Sequence, residues 1–183
     1  MPDIALVLRA AEFAADKHRD QRRKGKLKRP YINHCIEVAS ILANVGRIVD
    51  DNVLVAALLH DTVEDTDTTR DEIASKFGLS TADMVMEVTD DKSLDKQQRK
   101  DLQIQHAPTL SEGAKLIKIA DKISNVREIS VNPPKKWKRK RRAEYFDWAE
   151  SVVNAIGEVN AGLEETFNET VGRARASLQE KTE

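Results

Sequence analysis

A chain of 183 residues, 40% hydrophobic and 33% charged, carries enough apolar material for one packed core and too much for a disordered tail. Its net charge of −1 supplies no overall field that would draw it to nucleic acid or to an anionic membrane. The single cysteine, Cys35, excludes an internal disulfide and any Cys-x-x-Cys zinc site; it fits a reducing compartment, so the cytoplasm is the expected location.

In chain order, apolar positions 4, 7, 8, 11, 14 and 15 predict a first helix that buries one face. A basic stretch follows, "KHRDQRRKGKLKR" at 17 to 29, with eight Lys or Arg against one Asp. "PYINH" introduces a helix from about Asn33 to Val45 with Gly46 as a stop, and Asp50 or Asp51 caps a third helix to about His60. That third segment holds the longest apolar run, Val53 to Leu59, far below the ~20 residues of a membrane span, and nothing at the N-terminus reads as a leader or anchor. Thr68 or Thr69 opens a short helix closed by Gly78, and Ser80 or Thr81 starts the next. Further helices are expected over about 95–106, 111–130, 139–156 and 158–178, divided by Pro108, "VNPPKK" and Gly157. With no alternating strand pattern, the expectation is a single all-α domain, a helical bundle of about seven to nine helices.

The stretch "ALLHDTVEDTDTT" sets His60 and Asp61 at the end of the most apolar helix, where packing behind them holds both side chains in place. An imidazole and a carboxylate are two ligands for a divalent ion, which needs about four or more. His34, at a helix start, and Asp121, inside a helix written for burial, are candidates for the others. Lys118, Asp121, Lys122 and Asn125 share one helix face at three- and four-residue spacings, and a carboxylate between lysines suggests a metal ligand beside a phosphate pocket. Taken singly, each has a plainer explanation: a histidine ending a helix is commonly a cap, and Glu64 and Asp65 are acids that a following helix dipole favours. Asp67, Asp90 and Asp91 read as caps or turn residues, His18 and His106 as structural or exposed, and Cys35 as a small buried hydrophobe.

The order His, His-Asp, Asp resembles the HD phosphohydrolase superfamily. Over residues 5 to 165, "RRKGKLKRPYINHCIEVASIL", "AALLHDTVEDTDTT", "VTDDKSL", "GAKLIKIADKISNVRE" and "EYFDWA" resemble the hydrolase domain of the RelA/SpoT family, in particular its small stand-alone members. The resemblance implies an HD-domain bundle that hydrolyses the 3′-pyrophosphate of guanosine tetra- or pentaphosphate to GDP or GTP and pyrophosphate. It implies one Mn²⁺ per chain on His34, His60, Asp61 and Asp121, with Glu64 and Asp65 as the acid/base pair beside a metal-activated water. It also implies substrate contacts from Arg23, Lys24, Asn125 and Tyr145. Lys118 and Lys122 are added to the substrate contacts from helix spacing alone. No synthetase or regulatory region fits in the residues left over, so hydrolysis without synthesis is expected.

Two departures from the family stand out. Cys35 replaces the proline that many relatives place after the histidine, and "KKWKRKRR" at 135 to 142, seven basic residues in eight, is unusually cationic and could meet another polyanion. Two other functions remain open on the sequence: an HD phosphatase for another nucleotide, such as a dinucleotide bearing a 2′-phosphate, and a non-catalytic helical protein using its basic patches on nucleic acid. The complete ligand set argues against the latter; no membrane partner is expected, and the sequence does not fix the oligomeric state.

Overall fold

The computed structural model describes residues 3–179, and helices supply nearly all regular structure among them. The elements are α1 (Ile4–Lys17), α2 (Ile32–Asn44), α3 (Asp51–Leu59), the short α4 (Thr62–Asp65), α5 (Arg70–Phe77), α6 (Leu79–Val88), α7 (Lys96–His106), α8 (Glu112–Val131), α9 (Arg139–Ile156) and α10 (Ala161–Gln179). Nine of these described helices have eight residues or more, in line with the all-α expectation. No described helix is long and apolar enough to cross a membrane.

Helix starts follow local chemistry. Asp3, Asp50, Thr69 and Ser111 accept backbone N–H bonds at the starts of α1, α3, α5 and α8, and Asp95 forms a capping box with Gln98 at α7. Gly78, at φ 92°, ends α5 and starts α6 directly, so α6 begins at Leu79 and not at the Ser80 or Thr81 that composition suggests. The last helix starts later than expected because the Asn160 side chain accepts from Leu163 N and sets the first turn there.

The buried face of α1 also differs from the expected stripe. Ala10 and Ala14 are buried, with Leu6, Val7 and Ala11 packed beside them, while Ile4 and Leu8 are 70% and 64% exposed. The inward stripe is rotated towards the small residues because α1 lies closely on α3, where alanine permits a close approach.

The core is organised by two helices that lack a solvent face in their central parts. All seven residues from Val53 to Leu59 of α3 are buried, and α8 buries Ala114, Leu116, Ile117, Ile119, Ala120, Ile123, Val126 and Ile129. Burying each larger aliphatic side chain contributes roughly 1.5–3 kcal/mol, so α3 and α8 are anchored against rotation. Around them pack α1, α2, α6, α9 and α10. The consequence for function is positional: α3 ends at His60, the middle of α8 carries Asp121, and α2 brings His34 to the same point.

Candidate metal centre and adjoining cleft

Each of the four residues arrives from a fixed element. His34 sits in the first turn of α2; His60 and Asp61 form the tight turn between α3 and α4, both with αR backbone angles. Thr62 stabilises this turn by donating its hydroxyl to Leu59 O at 2.7 Å. Ligand atoms of His34, His60 and Asp121 all lie within 4.8 Å of one another. Asp61 joins them: its Oδ2 is 3.6 Å from His34 Nε2 and 3.0 Å from His60 Nε2, while Asp121 Oδ1 is 3.2 Å and 3.9 Å from the same two nitrogens.

This donor set fits a divalent ion on two observations. First, His60 Nε2 is buried and makes no hydrogen bond, although Asp61 Oδ2 is only 3.0 Å away, because the pair is not aligned for one. A buried, unpartnered ring nitrogen within 3.9 Å of two carboxylates is what a metal ligand requires and what an ordinary core histidine avoids. Second, each ligand side chain is held by a further group. His60 Nδ1 meets Ala57 O at 2.8 Å and His34 Nδ1 meets Ser124 Oγ at 2.9 Å; Tyr31 donates its hydroxyl to Asp61 Oδ2 at 2.7 Å. Lys122 donates to Asp121 Oδ2 at 2.8 Å and Asn125 to Asp121 Oδ1 at 2.6 Å. Such outer partners orient ligands for an ion.

The electrostatics point the same way. Burial works against ionising any of these groups, yet the His60 and His34 neighbours hold Asp61 low, and Lys122 with His34 holds Asp121 well below the usual carboxylate range. Burial likewise opposes charge on His60, but the Asp61 and Asp121 carboxylates push it up to about 9, whereas burial lowers His34. Without an ion, the cluster therefore keeps one proton on His60 between two carboxylates: the site calls for positive charge.

Beside the centre opens a cleft of about 520 Å³. Arg23, Lys24, Tyr31, Asp65, Asn125 and Tyr145 line it, and α7 and α9 add Lys96, Arg99, Lys100, Arg141, Trp137 and Trp148. Arg23 donates to Asn125 Oδ1 at 3.0 Å with its guanidinium over the Tyr31 ring, so the nucleotide-contact candidates Arg23, Asn125 and Tyr145 are brought to one wall. Tyr145 is half-buried, and the loss of water around its hydroxyl raises it to about 12 and keeps it a neutral hydrogen-bonding group. Trp148 lies between the ammonium groups of Lys100 and Lys122, at 4.6 and 4.7 Å from its ring centre.

Glu64 and Asp65 follow on α4. Glu64 accepts from Asp90 N at 3.2 Å and has Arg99 Nη1 at 4.0 Å; burial first, and then the Asp61 charge, raise its carboxyl. Asp65 faces the cleft and is paired with Lys92, while its carbonyl accepts from Gln21 Nε2 at 2.6 Å.

Two expected substrate contacts are placed otherwise. Lys118 is buried and donates to Val88 O at 3.0 Å; it lines a smaller cavity of about 160 Å³, which shares Asp90, Arg99 and Gln103 with the large cleft, and is not among the residues lining that cleft. Helix spacing puts it on the face of Asp121, but the last carbonyl of α6 captures its ammonium. Lys122, also buried, is committed to Asp121, so it positions a ligand. The sequence reading missed Tyr31, Ser124, Lys92, Asp90 and the α7 cations Lys96, Arg99 and Lys100. The spacing of these cations at 96, 99 and 100 is a helical face, but nothing local separates it from a solvated one. The lone Cys35 is buried, as expected of a small hydrophobe.

A buried two-histidine, two-carboxylate centre on an all-α bundle defines the HD class of metal-binding domains, and the model of the HD domain matches residues 10–147. The chain belongs to the HD-domain family, within the group that includes the guanosine-3′,5′-bis(diphosphate) 3′-pyrophosphohydrolases called MESH1. It is 53% identical to the MESH1 protein of Xenopus tropicalis over 162 residues, covering 88% of this chain and 90% of that one. To human MESH1 it is 53% identical over 165 residues, covering 90% and 92%. Among solved structures, a metazoan ortholog of SpoT that hydrolyzes ppGpp and plays a role in starvation responses superposes with a TM-score of 0.90 at 46% identity, over 94% of this chain and 97% of that one. A protein from Listeria monocytogenes gives 0.65 at 28% identity, over 80% and 98%.

Proposed function

We propose that this protein is a metal-dependent hydrolase that removes the 3′-pyrophosphate of guanosine tetra- or pentaphosphate, releasing pyrophosphate and GDP or GTP. The observation that carries the reading is the junction of a four-donor metal centre with a cationic, aromatic-walled cleft, in a chain about half identical to enzymes that bear this activity in their name. His34, His60, Asp61 and Asp121 hold the ion. Mixed imidazole and carboxylate donors suit several borderline and hard divalent ions, of which we assign Mn²⁺, one per chain. When bound, that ion lowers the pKa of a water and polarises a phosphoryl oxygen.

The chain's own residues do the rest. Glu64, with a carboxyl raised by burial, takes a proton from the attacking water, and with Asp65 passes it towards the departing 3′-oxygen. Arg23 and Lys24 meet phosphate oxygens, Arg23 through a planar fork backed by Asn125. Tyr145 and Asn125 present neutral hydrogen-bonding groups, and Trp137 and Trp148 offer flat surfaces on which a base can stack. One continuous core supports the whole assembly, so the chain acts as a single hydrolase domain, and the free cysteine suits the reducing cytoplasm.

The direct test is pyrophosphate release from guanosine 3′,5′-bis(diphosphate) by the purified protein with Mn²⁺ or with excess chelator. Release in Mn²⁺ alone is the expected result. A Mn²⁺-loaded protein that leaves this compound intact while cleaving another nucleotide would remove the substrate assignment and keep the hydrolase.

A further inference from the structure

Behind His34, α2 and α8 are linked by polar contacts that do not face the cleft. His34 Nδ1 is 2.9 Å from Ser124 Oγ, Ser124 donates its hydroxyl to Glu37 Oε2 at 2.8 Å, and Arg127 Nη1 stands 3.7 Å from Glu37 Oε1. Ser124 is fully buried and the His34 side chain nearly so, while Glu37 is 39% exposed at the helix surface. The direction of these bonds follows from counting protons. A carboxylate only accepts and a serine hydroxyl has one hydrogen, so that hydrogen goes to Glu37 and the serine oxygen accepts from His34 Nδ1–H. The neutral ring then carries its lone pair on Nε2, which lies 3.2 Å from Asp121 Oδ1 in the ligand cluster.

We propose that Ser124 and Glu37 are positioning residues for the metal centre: Glu37 turns the Ser124 hydroxyl into an acceptor, and Ser124 locks His34 in the Nδ1–H tautomer and in its ring orientation. This rests on the metal reading above. The comparison with His60 shows why side chains are needed here. The Nδ1 of His60 meets the main-chain oxygen of Ala57, which the end of α3 supplies whatever the neighbouring side chains are. His34 lies in the first turn of α2, where the carbonyl three residues back, that of Tyr31, already accepts from His34 N at 2.9 Å, and its ring takes its acceptor from across the helix interface. Without Ser124 the buried Nδ1–H loses its partner, and the ring is free to place its proton on Nε2 and oppose the ion.

The experiment uses the full-length, metal-free protein. Mn²⁺ affinity is measured by calorimetry, and the His34 tautomer is read from its ring ¹⁵N shifts without metal. Ser124→Ala is expected to weaken Mn²⁺ binding about 10–100-fold, the range typical of lost outer partners, and to shift His34 towards the Nε2–H form. Glu37→Ala should do both to a smaller degree. Glu37→Gln, whose amide oxygen still accepts from Ser124, should restore binding to within about threefold of the parent, which a loss of charge would not predict, while the His34 tautomer separates the lost acceptor from lost packing. Circular dichroism establishes that each variant is folded. A folded Ser124→Ala protein with unchanged Mn²⁺ affinity and an Nδ1–H His34 overturns the proposal. If the parent itself binds no Mn²⁺, the metal reading fails, and the tautomer of metal-free Ser124→Ala still decides whether the chain acts on His34.

Discussion

At the closed end of the cleft, His34, His60, Asp61 and Asp121 stand on helices buried in the core, and further side chains or carbonyls fix each of them from behind. At the mouth, Lys24, Lys96, Lys100 and Arg141 come from a loop and from the solvent-facing sides of α7 and α9, and they repel one another. Partial burial and neighbouring cations lower both Lys96 and Lys100. The inner end is built like a protein interior, where further groups hold each ligand and His60 Nε2 is left open for an ion; the outer end gathers cations with few acids among them. Changes to the first should therefore be large and close to all-or-none, and changes to the second small, graded and salt-dependent.

The largest effect is expected from Asp121→Ala. It removes a ligand and leaves Lys122, whose side chain is 4% exposed, without its carboxylate. Breaking a buried pair from one side costs on the order of 3–5 kcal/mol, so thermal unfolding should shift downwards markedly while calorimetry shows loss of Mn²⁺ binding. A variant that binds Mn²⁺ normally would detach Asp121 from the centre.

How much of this was legible in the sequence depends on the distance over which each contact is made. The adjacent pair His60-Asp61 is written next to itself, at the end of an unmistakably apolar helix, and the expectation that His34 and Asp121 join it came from the resemblance that their order bears to the HD superfamily. Most helix boundaries were legible for the same local reason, since caps such as Thr69, Ser111 and Asp95 act within three residues, while the starts of α6 and α10 fell elsewhere than expected. What was not legible lies across the bundle. Tyr31 reaches Asp61 over 30 positions, Ser124 reaches His34 over 90, and Gln21 reaches Asp65 over 44. A spacing rule for one helix also cannot see that the carbonyl of Val88 waits for Lys118.

Next in size is Glu64, which belongs to the inner end without being a ligand. Glu64→Gln should lower kcat by about 10²–10⁴-fold and leave Mn²⁺ affinity nearly intact, separating proton transfer from metal binding. Its carboxyl is raised above 4.5, by burial first and then by Asp61. A base is active when ionised, so kcat/KM of the parent should fall as pH drops through a limb above 4.5, and that limb should vanish in Glu64→Gln.

Proton release tests the charge balance of the inner end. His60 is pushed up to about 9 in the metal-free protein from an ordinary 6.5, which means that its ion pairing stabilises the fold fully below pH 6.5 and ceases to as pH rises through about 9. Metal must displace that proton. Below about pH 8, each Mn²⁺ bound should release close to one proton, seen by calorimetry in buffers of different ionisation enthalpy, and affinity should weaken about tenfold per pH unit. Binding without proton release would show that the cluster is neutralised some other way.

The smallest effect is expected where the contrast is sharpest, on the outer wall of the mouth. Trp137 and Arg141 line the cleft on one side and, on the other, an open groove with Lys136, Lys138 and Lys140, all three exposed. Their charges are continuous with the cations of the cleft and nearly unopposed, since Glu144 is the one acid among the described residues lining the groove and it pairs with Arg141 at 3.3 Å. Such a field raises the encounter rate of a polyanionic nucleotide without touching the reacting atoms. Replacing Lys136, Lys138 and Lys140 together by Gln should lower kcat/KM a few-fold at about 20 mM salt, where the Debye length is near 20 Å, and by less than twofold at about 0.5 M, with kcat unchanged at both. If kcat falls, these lysines reach the bound substrate and the mouth extends further out than the cleft residues indicate; if the salt dependence of kcat/KM stays as steep as in the parent, the capturing charge resides on Lys24, Lys96, Lys100 and Arg141 alone.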